Sequence, residues 1–260
     1  MQEVYLALSG ARAIERSMGV IANNMANSNT PGYRADHLAV AGLASVPDYD
    51  ALTRSSAEEL NVEPPQPTFY TALMPLLSEQ TIDPNPGVAR NSGLQTDLLI
   101  DGQGFFAVQT PQGERYTRAG NFTVGTNGML TTMNGYPVAG QGSQGIKVNG
   151  ADFKVRSDGG VYDAKGKQVG TIKIVAFPDA RALAKEGASL FKVAGASAQP
   201  VVVDRAKVSL KQGWLEESNV QTISELVDMI AAQRMYEAYQ KLIRTSDDMS
   251  VQYEAALMNA

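Results

Sequence analysis

The chain has 260 residues, of which 43% are hydrophobic and 19% charged, a composition that allows a folded core in one large domain or two small ones. Its net charge of −5 argues against nucleic acid as a partner, because phosphate backbones attract basic surfaces. The lack of cysteine excludes disulfides and thiolate metal sites, and the single histidine, His37, leaves little material for a histidine-based site. We therefore predict no metal and no cofactor.

The N-terminal segment predicts a long helix with a narrow apolar stripe. Its apolar residues follow one another at alternating steps of three and four, the spacing of a helix that packs along one seam. The helix should end before Pro31 and Gly32, since proline lacks the amide that a helix uses and glycine readily adopts positive φ. The stripe consists of Val4, Ala7, Ala11, Ile14, Met18, Ile21 and Met25.

The same segment is a poor secretory signal. Glu3 lies where a signal peptide carries positive charge, and Arg12 and Glu15 interrupt the apolar stretch. Elsewhere no apolar run approaches the length of about 18–20 residues that spans a bilayer. We expect a protein with no membrane span that is either cytoplasmic or exported without a cleaved signal.

Prolines and glycines divide the rest of the chain. Residues 36–86 hold most of the prolines and predict an extended connector. Residues 87–213 hold most of the glycines and predict a β-rich outer domain, with a hairpin signal at Asn127 and Gly128 and the strongest strand at residues 171–177. Strands separated by frequent turns indicate an all-β sandwich or a barrel-like domain.

Residues 214–260 contain neither glycine nor proline and predict a second long helix. Ser218 or Asn219 should cap its N-terminus. The predicted fold is therefore α+β: residues 1–35 and 214–260 form paired, coiled-coil-like terminal helices, and the domain between them is all-β. The apolar stripe of the second helix, which is wide at its start, consists of Ile223, Leu226, Val227, Met229, Ile230, Ala232, Tyr236, Tyr239 and Ile243. We call the two stripes together the helix seam.

Motifs that suggest an enzyme lack the context that their chemistry needs. The G-x-G-x-x-G pattern at residues 140–145 precedes a strand and another turn, whereas a dinucleotide site needs a helix there. The S-x-x-K pattern at residues 189–192 is short enough to arise by chance. Asp97 and Asp101 could form the carboxylate pair of a glycosidase, but Asp101 and Gly102 are typical of a turn. We predict no catalytic residue.

Three stretches resemble the signatures of the bacterial flagellar axial proteins, which form the rod, the hook and the hook-associated structures. Residues 21–34 read IANNMANSNTPGYR, residues 97–108 read DLLIDGQGFFAV and continue to YTRAGNF at 116–122, and residues 213–246 include ESNV and MIAAQRMYE. The matches follow the family order and span the whole chain. The matching residues include Asn23, Asn24, Asn27, Pro31, Gly32, Asp101, Gly102, Gly104, Phe105, Phe106, Asn219, Gln233 and Arg234.

The length and the short middle are similar to the rod proteins of the FlgF and FlgG classes, and residues 5–10, 177–179 and 190–214 favour FlgF, the proximal rod. The resemblance implies export through the flagellar type III apparatus without a cleaved signal. It also implies assembly in the periplasm, with further copies and neighbouring rod proteins, into a helical tube that transmits torque from motor to hook. The terminal helices would surround the export channel, and the β domain would lie outside them.

Three alternatives stay open at this point. The first is a distal rod subunit of the FlgG class, which would share the architecture. The second is a periplasmic enzyme that acts on glycan, which would need an exposed acid pair in a cleft. The third is a generic β-domain adhesin or binding module, which would leave the long C-terminal segment unexplained.

Overall fold

The computed structural model describes residues 2–44, 74–142, 144–148, 150, 152–178, 183–187, 189–193, 200–204 and 209–258. A helix lies at each end of the chain and strands fill the middle, which confirms the α+β class. The described residues form two compact units. The helical unit draws on Met1–Asn23, His37–Gln80 and Ile223–Ala260, and the β unit on Asn24–Asp36 and Thr81–Thr222. The domain boundaries predicted from sequence stay predictions.

The helical unit contains most of helix α1 (Gln2–Ala26) and helix α2 (Thr222–Met258). Strands β1 (Asp36–Ala44) and β2 (Met74–Ile82) pair as a two-stranded sheet. They occupy both ends of the predicted extended connector, and its residues 45–73 lie outside the described residues. In the part of the chain that the structure describes, neither helix has a stretch long and apolar enough to cross a membrane.

Seam residues on α1 are shielded from solvent. Ala7, Ala11 and Ile21 are buried, and Ile14, Met18 and Met25 are partly buried. The side chain of Val4 lies outside the described residues. Gly10, on the same face, approaches α2 so closely that a Cβ atom there would lie 2.5 Å from Cζ of Tyr239. The two terminal helices therefore meet at this point, while a coiled-coil pairing along their length stays a prediction.

On α2 the predicted stripe divides into two faces. Ala232 is buried, and Met229, Tyr236, Tyr239 and Ile243 are partly buried at the same alternating steps of four and three. The residues that widen the stripe at its start lie on the opposite face, because about 100° separates successive residues of a helix. They are largely in solvent: Ile223 is 82% exposed, Leu226 49%, Val227 60% and Ile230 43%.

The predicted cap of α2 is wrong. The helix begins at Thr222, three residues after Asn219. Ser218 Oγ accepts a hydrogen bond from the amide of Val220, which is a local turn before the helix. The Asn219 side chain binds the N-terminal segment of the β unit and is not available as a cap. A capping residue and a cross-chain anchor have the same short polar side chain, so local sequence could not separate them.

The β unit is built from short strands, and every strand pair described within it is antiparallel. A six-stranded sheet runs in the order β13-β14-β6-β5-β12-β15, and β9, β10 and β11 form a three-stranded sheet. The strands are β3 (Ala89–Asn91), β4 (Leu98–Ile100), β5 (Phe105–Thr110), β6 (Gly113–Thr117), β7 (Thr123–Val124), β8 (Leu130–Thr131), β9 (Phe153–Val155), β10 (Gly160–Asp163), β11 (Gln168–Thr171), β12 (Ile174–Ala176), β13 (Leu183–Gly187), β14 (Leu190–Val193), β15 (Val201–Val202), β16 (Leu210–Gln212) and β17 (Trp214–Glu216).

The predicted strand at residues 171–177 is two strands. Thr171 pairs with Gly160 on β10, whereas Ile174 pairs with Phe106 on β5, so the chain changes sheets between them. The hairpin predicted at Asn127 and Gly128 is present as β7 and β8. An apolar run shows that a segment is extended and buried, but it does not show which strand the segment pairs with.

The sheet around β5 has a core on both faces. Successive side chains of a strand point to opposite sides, so Phe106 and Val108 enter one hydrophobic cluster, and Phe105 and Ala107 enter another. Phe106 packs edge-on against Phe122 with ring centroids 5.0 Å apart. Burial on both faces fixes the register of β5, because a slip by one residue would exchange the two sets of side chains.

The contact at Gly10 generates a prediction with a matched control on the same helix. Gly10→Ala should lower the free energy of unfolding of the helical unit by about 1–3 kcal/mol, because the added methyl group collides with the Tyr239 ring. Gly19→Ala should raise it by about 0.5–1 kcal/mol, because nothing lies within 4 Å of the added Cβ and alanine favours helix. Thermal unfolding followed by helical circular dichroism measures both. A stabilising Gly10→Ala would contradict the contact.

Tyr116 generates a pH prediction. Burial, followed by the nearby Glu114 carboxylate, raises the pKa of the Tyr116 phenol from 10.0 to about 12. Between these two values the unfolded chain gives up the proton while the folded chain keeps it, so the free energy of unfolding should fall as pH rises from 10 to 12. Urea unfolding at several pH values should show a smaller fall for Tyr116→Phe. An equal fall in both proteins would contradict the assignment.

Candidate functional site

Three distant parts of the chain meet in the β unit around one buried carboxylate. Glu216, at the end of β17, is 3% exposed and lies between two guanidinium groups. Arg34 Nη2 lies 2.8 Å from its Oε1, and Arg118 Nη1 lies 3.3 Å from its Oε2. Arg34 belongs to the N-terminal motif, Arg118 to the central one, and Glu216 to the C-terminal one. We use the term motif junction for these three residues together with the residues, named in the next paragraphs, that contact them or the neighbouring segment of residues 33–36.

Each arginine of the junction also donates to backbone carbonyls. Arg34 donates to the carbonyl of Pro84 at 2.8 Å. Arg118 donates to the carbonyls of Ile100 at 3.2 Å and Gly102 at 2.6 Å, so it holds the turn that follows β4. The backbone carbonyl of Glu216 accepts from the Gly32 amide at 2.8 Å. The junction therefore fixes loops as well as side chains.

Glycine at position 32 is required by this packing. Its φ is +65°, and a Cβ atom there would lie 2.3 Å from the carbonyl carbon of Arg118. Gly87 approaches even closer, since its Cβ atom would lie 1.8 Å from the carbonyl oxygen of Glu217. Backbone cannot move aside as a flexible side chain can, so both positions exclude larger residues.

Two asparagines bracket the N-terminal segment. The Asn24 side chain, which is 1% exposed, accepts from the Asp36 amide at 2.9 Å and donates to the Asp36 carbonyl at 3.0 Å. Asn219 accepts from the Ala35 amide at 2.7 Å and donates to the carbonyl of Asn85 at 3.0 Å. The last turn of α1 and the residues before α2 are thus both tied to residues 35 and 36.

A lysine from β13 joins the same segment. Lys185 Nζ lies 2.5 Å from the carbonyl oxygen of Arg34 and 2.7 Å from Oδ2 of Asp36, and it sits 3.9 Å above the Tyr33 ring. The Tyr33 hydroxyl donates to Asn24 at 3.2 Å. These contacts connect the edge of the six-stranded sheet to the N-terminal motif.

The electrostatics of the junction are those of cations taken out of water. Burial lowers the pKa of Arg118 to about 10, with the neighbouring Arg34 adding to the effect and Glu216 opposing it. Burial likewise lowers the pKa values of Arg34 and Lys185, against the attraction of Glu216 and Asp36 respectively. Glu216 lies within ion-pair distance of both Arg34 and Arg118, so one carboxylate compensates two buried guanidinium groups.

Among the predicted motif residues, the structure brings together Asn24, Gly32, Gly102 and Asn219 at the junction. Gly104 (φ +141°) leads into β5, and a Cβ atom built on it would lie 2.7 Å from the Ile174 side chain. Phe105 and Phe106 fill the two hydrophobic clusters.

Four other motif residues lie away from the junction. Asp101 is exposed and pairs with Lys211 at 2.7 Å, and Asn23, Gln233 and Arg234 are exposed on the helices. Asn27 accepts from Thr30 in the turn that leads to Pro31.

Sequence reasoning missed the charged members of the junction. Arg34, Arg118 and Glu216 were part of the motif stretches, but nothing marked them as partners, and Lys185 lies in no motif. One local feature was present: Arg34 lies two residues from Gly32, Arg118 lies two residues from Gly120, and Glu216 lies three residues from both Gly213 and Asn219. Opposite charges in otherwise apolar or glycine-rich settings are a reason to expect buried pairing.

The described geometry offers nothing that resembles a catalytic centre at these motifs, and its contacts join chain segments to one another. The family description "Flagella basal body rod protein" matches residues 5–34. "Flagellar hook protein FlgE/F/G D1 domain" matches residues 99–183, and "Flagellar basal body rod FlgEFG protein C-terminal" matches residues 211–252.

Relatives match over nearly the whole chain. The flagellar basal-body rod protein FlgG of Bacillus subtilis is 33% identical, with 96% of each chain covered. The rod protein FlgF of Caulobacter vibrioides is 31% identical, over 95% of this chain and 94% of its own, and that of Rhizobium meliloti is 30% identical, over 94% and 92%. The three family matches and these relatives identify a structural protein of the flagellar basal-body rod. The chain belongs to the FlgE/F/G family of flagellar rod and hook proteins.

Glu216 and its neighbour Glu217 provide a matched pair for testing the junction. Glu216→Gln should lower the free energy of unfolding by about 3–5 kcal/mol, because it leaves two buried guanidinium groups without a carboxylate. Glu217→Gln should lower it by less than about 1 kcal/mol, because the ion pair of Glu217 with Arg90 is exposed, the two side chains being 47% and 57% accessible. Urea unfolding measures both, and similar losses for the two variants would contradict the role assigned to Glu216.

Proposed function

We propose that the chain is a structural subunit of the flagellar basal-body rod that polymerises with further copies and with neighbouring rod proteins. The motif junction carries this proposal, because all three family stretches meet there and their residues serve to hold chain segments together. The names of the relatives support the same role. A subunit in a torque-transmitting tube needs such rigid connections, since loose loops would absorb the applied load.

The helical unit supplies the surface for polymerisation. We infer that α1 and α2 pair along the shielded part of the helix seam, which on α2 runs from Met229 to Ile243, with the Gly10–Tyr239 contact as one point of that pairing. The pair leaves Ile223, Val227 and Ile230 in solvent, which is a costly arrangement for a finished surface. In the rod these residues would be covered by other subunits, and the helices would surround the export channel.

Within the rod we propose the proximal position of the FlgF class. The similarity of residues 5–10, 177–179 and 190–214 to that class supports it, and two of the relatives carry that name. The FlgG relative is similar to the same degree, so the distal rod is the second candidate. Cross-linking in isolated basal bodies separates the two: a proximal subunit is joined to components on the motor side, and a distal one to the hook side.

We infer that the chain reaches the periplasm through the flagellar type III export apparatus without a cleaved signal. Membership of the flagellar rod family supports this route. The glycan-acting enzyme is not favoured, because Asp97 is buried and Asp101 pairs with Lys211.

Substitutions in the seam test the proposed function. Ile21→Asp or Met229→Asp should block incorporation into rods and abolish swimming, because a carboxylate cannot be buried between packed helices without a partner. The β unit should stay folded in these variants. Gln240→Asp, an exposed position of α2 off the seam, is the control and should assemble normally. The measurement is the amount of chain in basal bodies isolated from a strain that lacks its own copy. Normal rods from Ile21→Asp would count against the seam.

A further inference from the structure

Each terminal helix carries an exposed row of side chains, and the two rows differ in character. After the exposed Leu8, the row on α1 consists of small and charged residues at steps of three and four, and one of the exposed rows on α2 has bulky aliphatic residues followed by charges at the same steps. On α1 the row is Arg12, Glu15, Gly19 and Ala22, and on α2 it is Val227, Ile230, Arg234 and Glu237. We call these rows the outer faces of α1 and α2.

The direction of the two helices follows from contacts already described. The end of α1 and the residues before α2 are both bound to residues 35 and 36, through Asn24 and Asn219. Gly10 and Tyr239, which touch, lie at nearly the same number of residues from Ala26 and Thr222. The helices are therefore antiparallel, and each step back along α1 corresponds to an equal step forward along α2.

The level of Gly10 with Tyr239 also shows which residues of α1 and α2 lie at the same height along the helix pair. If the outer face of α1 in one copy meets the outer face of α2 in a second copy at the same level, small residues oppose large ones. Gly19 then opposes Ile230, and Ala22 opposes Val227. Nothing lies within 4 Å of a Cβ built on Gly19, so there is space for the isoleucine. Large side chains of one helix fit into the grooves that small residues leave on another.

In this register the charges are also complementary. Glu15 opposes Arg234, and Arg12 opposes Glu237. These four side chains are exposed, and among the described residues none of them forms an ion pair. A shift by one helical turn would lose the match between small and large residues and would set Arg12 near Arg234. Charge complementarity therefore selects both the partner face and the register.

We propose that copies of this chain associate through a heterologous contact in which the outer face of α1 in one copy packs on the outer face of α2 in the next. Because the contact joins two different faces of the same molecule, it repeats from copy to copy and generates either a ring or an open helical polymer. This inference rests on the proposed rod function and adds the surfaces and the register. Within one chain both outer faces are exposed to solvent, so each is available to a second copy.

Charge reversal tests the contact. Arg12→Glu alone and Glu237→Arg alone should each lower the amount of chain in isolated basal bodies by about tenfold, because each sets like charges against each other at every contact. The chain with both substitutions should recover, since its reversed faces are again complementary. The two single variants expressed together should also recover, because alternating copies restore every pair.

The control is Asp228→Arg, an equal change of charge at an exposed position of α2 outside the outer face, and it should assemble normally. Three outcomes are decisive. If the unmodified chain does not enter basal bodies, the proposed function itself fails. If it enters and the single variants enter equally well, this contact is wrong while the function stands. If the single variants fail and neither the double variant nor the mixture recovers, the charges act elsewhere and the contact is again wrong.

Discussion

The β unit depends on the interaction of one carboxylate with two guanidinium groups. Arg34 and Arg118 are 3% and 6% exposed, and neither could stay buried as a cation without a nearby anion. Glu216 serves both, with one oxygen toward each. Because the three residues come from distant parts of the chain, this small cluster closes long loops, and its loss would release several segments at once.

The surrounding backbone is arranged to let that interaction form. Gly32 takes a left-handed conformation, and a Cβ atom built on it would lie only 2.3 Å from the carbonyl carbon of Arg118. Asn24 binds the amide and the carbonyl of Asp36, and Asn219 binds the amide of Ala35, so these buried backbone groups have hydrogen-bond partners. The asparagines and glycines of the family motifs thus have a physical role: they allow strands and turns from different parts of the chain to approach at backbone distance around buried charge.

Sequence alone could predict what is local. The two helices follow from apolar spacing and the absence of helix breakers, and the hairpin at Asn127 and Gly128 follows from turn chemistry. The two arginine partners of Glu216 could not be predicted. Arg34 and Arg118 lie far from Glu216 along the chain, and nothing in their local sequence identifies the residue with which each of them pairs. The break between Thr171 and Ile174 and the role of Asn219 were missed for the same reason. In each case tertiary contacts, and not local preference, decide the outcome.

The two units satisfy their side chains in different ways. In the β unit the apolar residues of β5 are enclosed on both faces, and the buried charges have partners within the same chain. In the helical unit Ile223 and Val227 are more than half exposed, although each lies on a helix whose other face is shielded. Exposed apolar side chains also occur in the β unit, for example Val88 and Met133, but Ile223 and Val227 lie together on one regular helical face. Their exposure on one face of α2 agrees with the proposal that another subunit packs against that face.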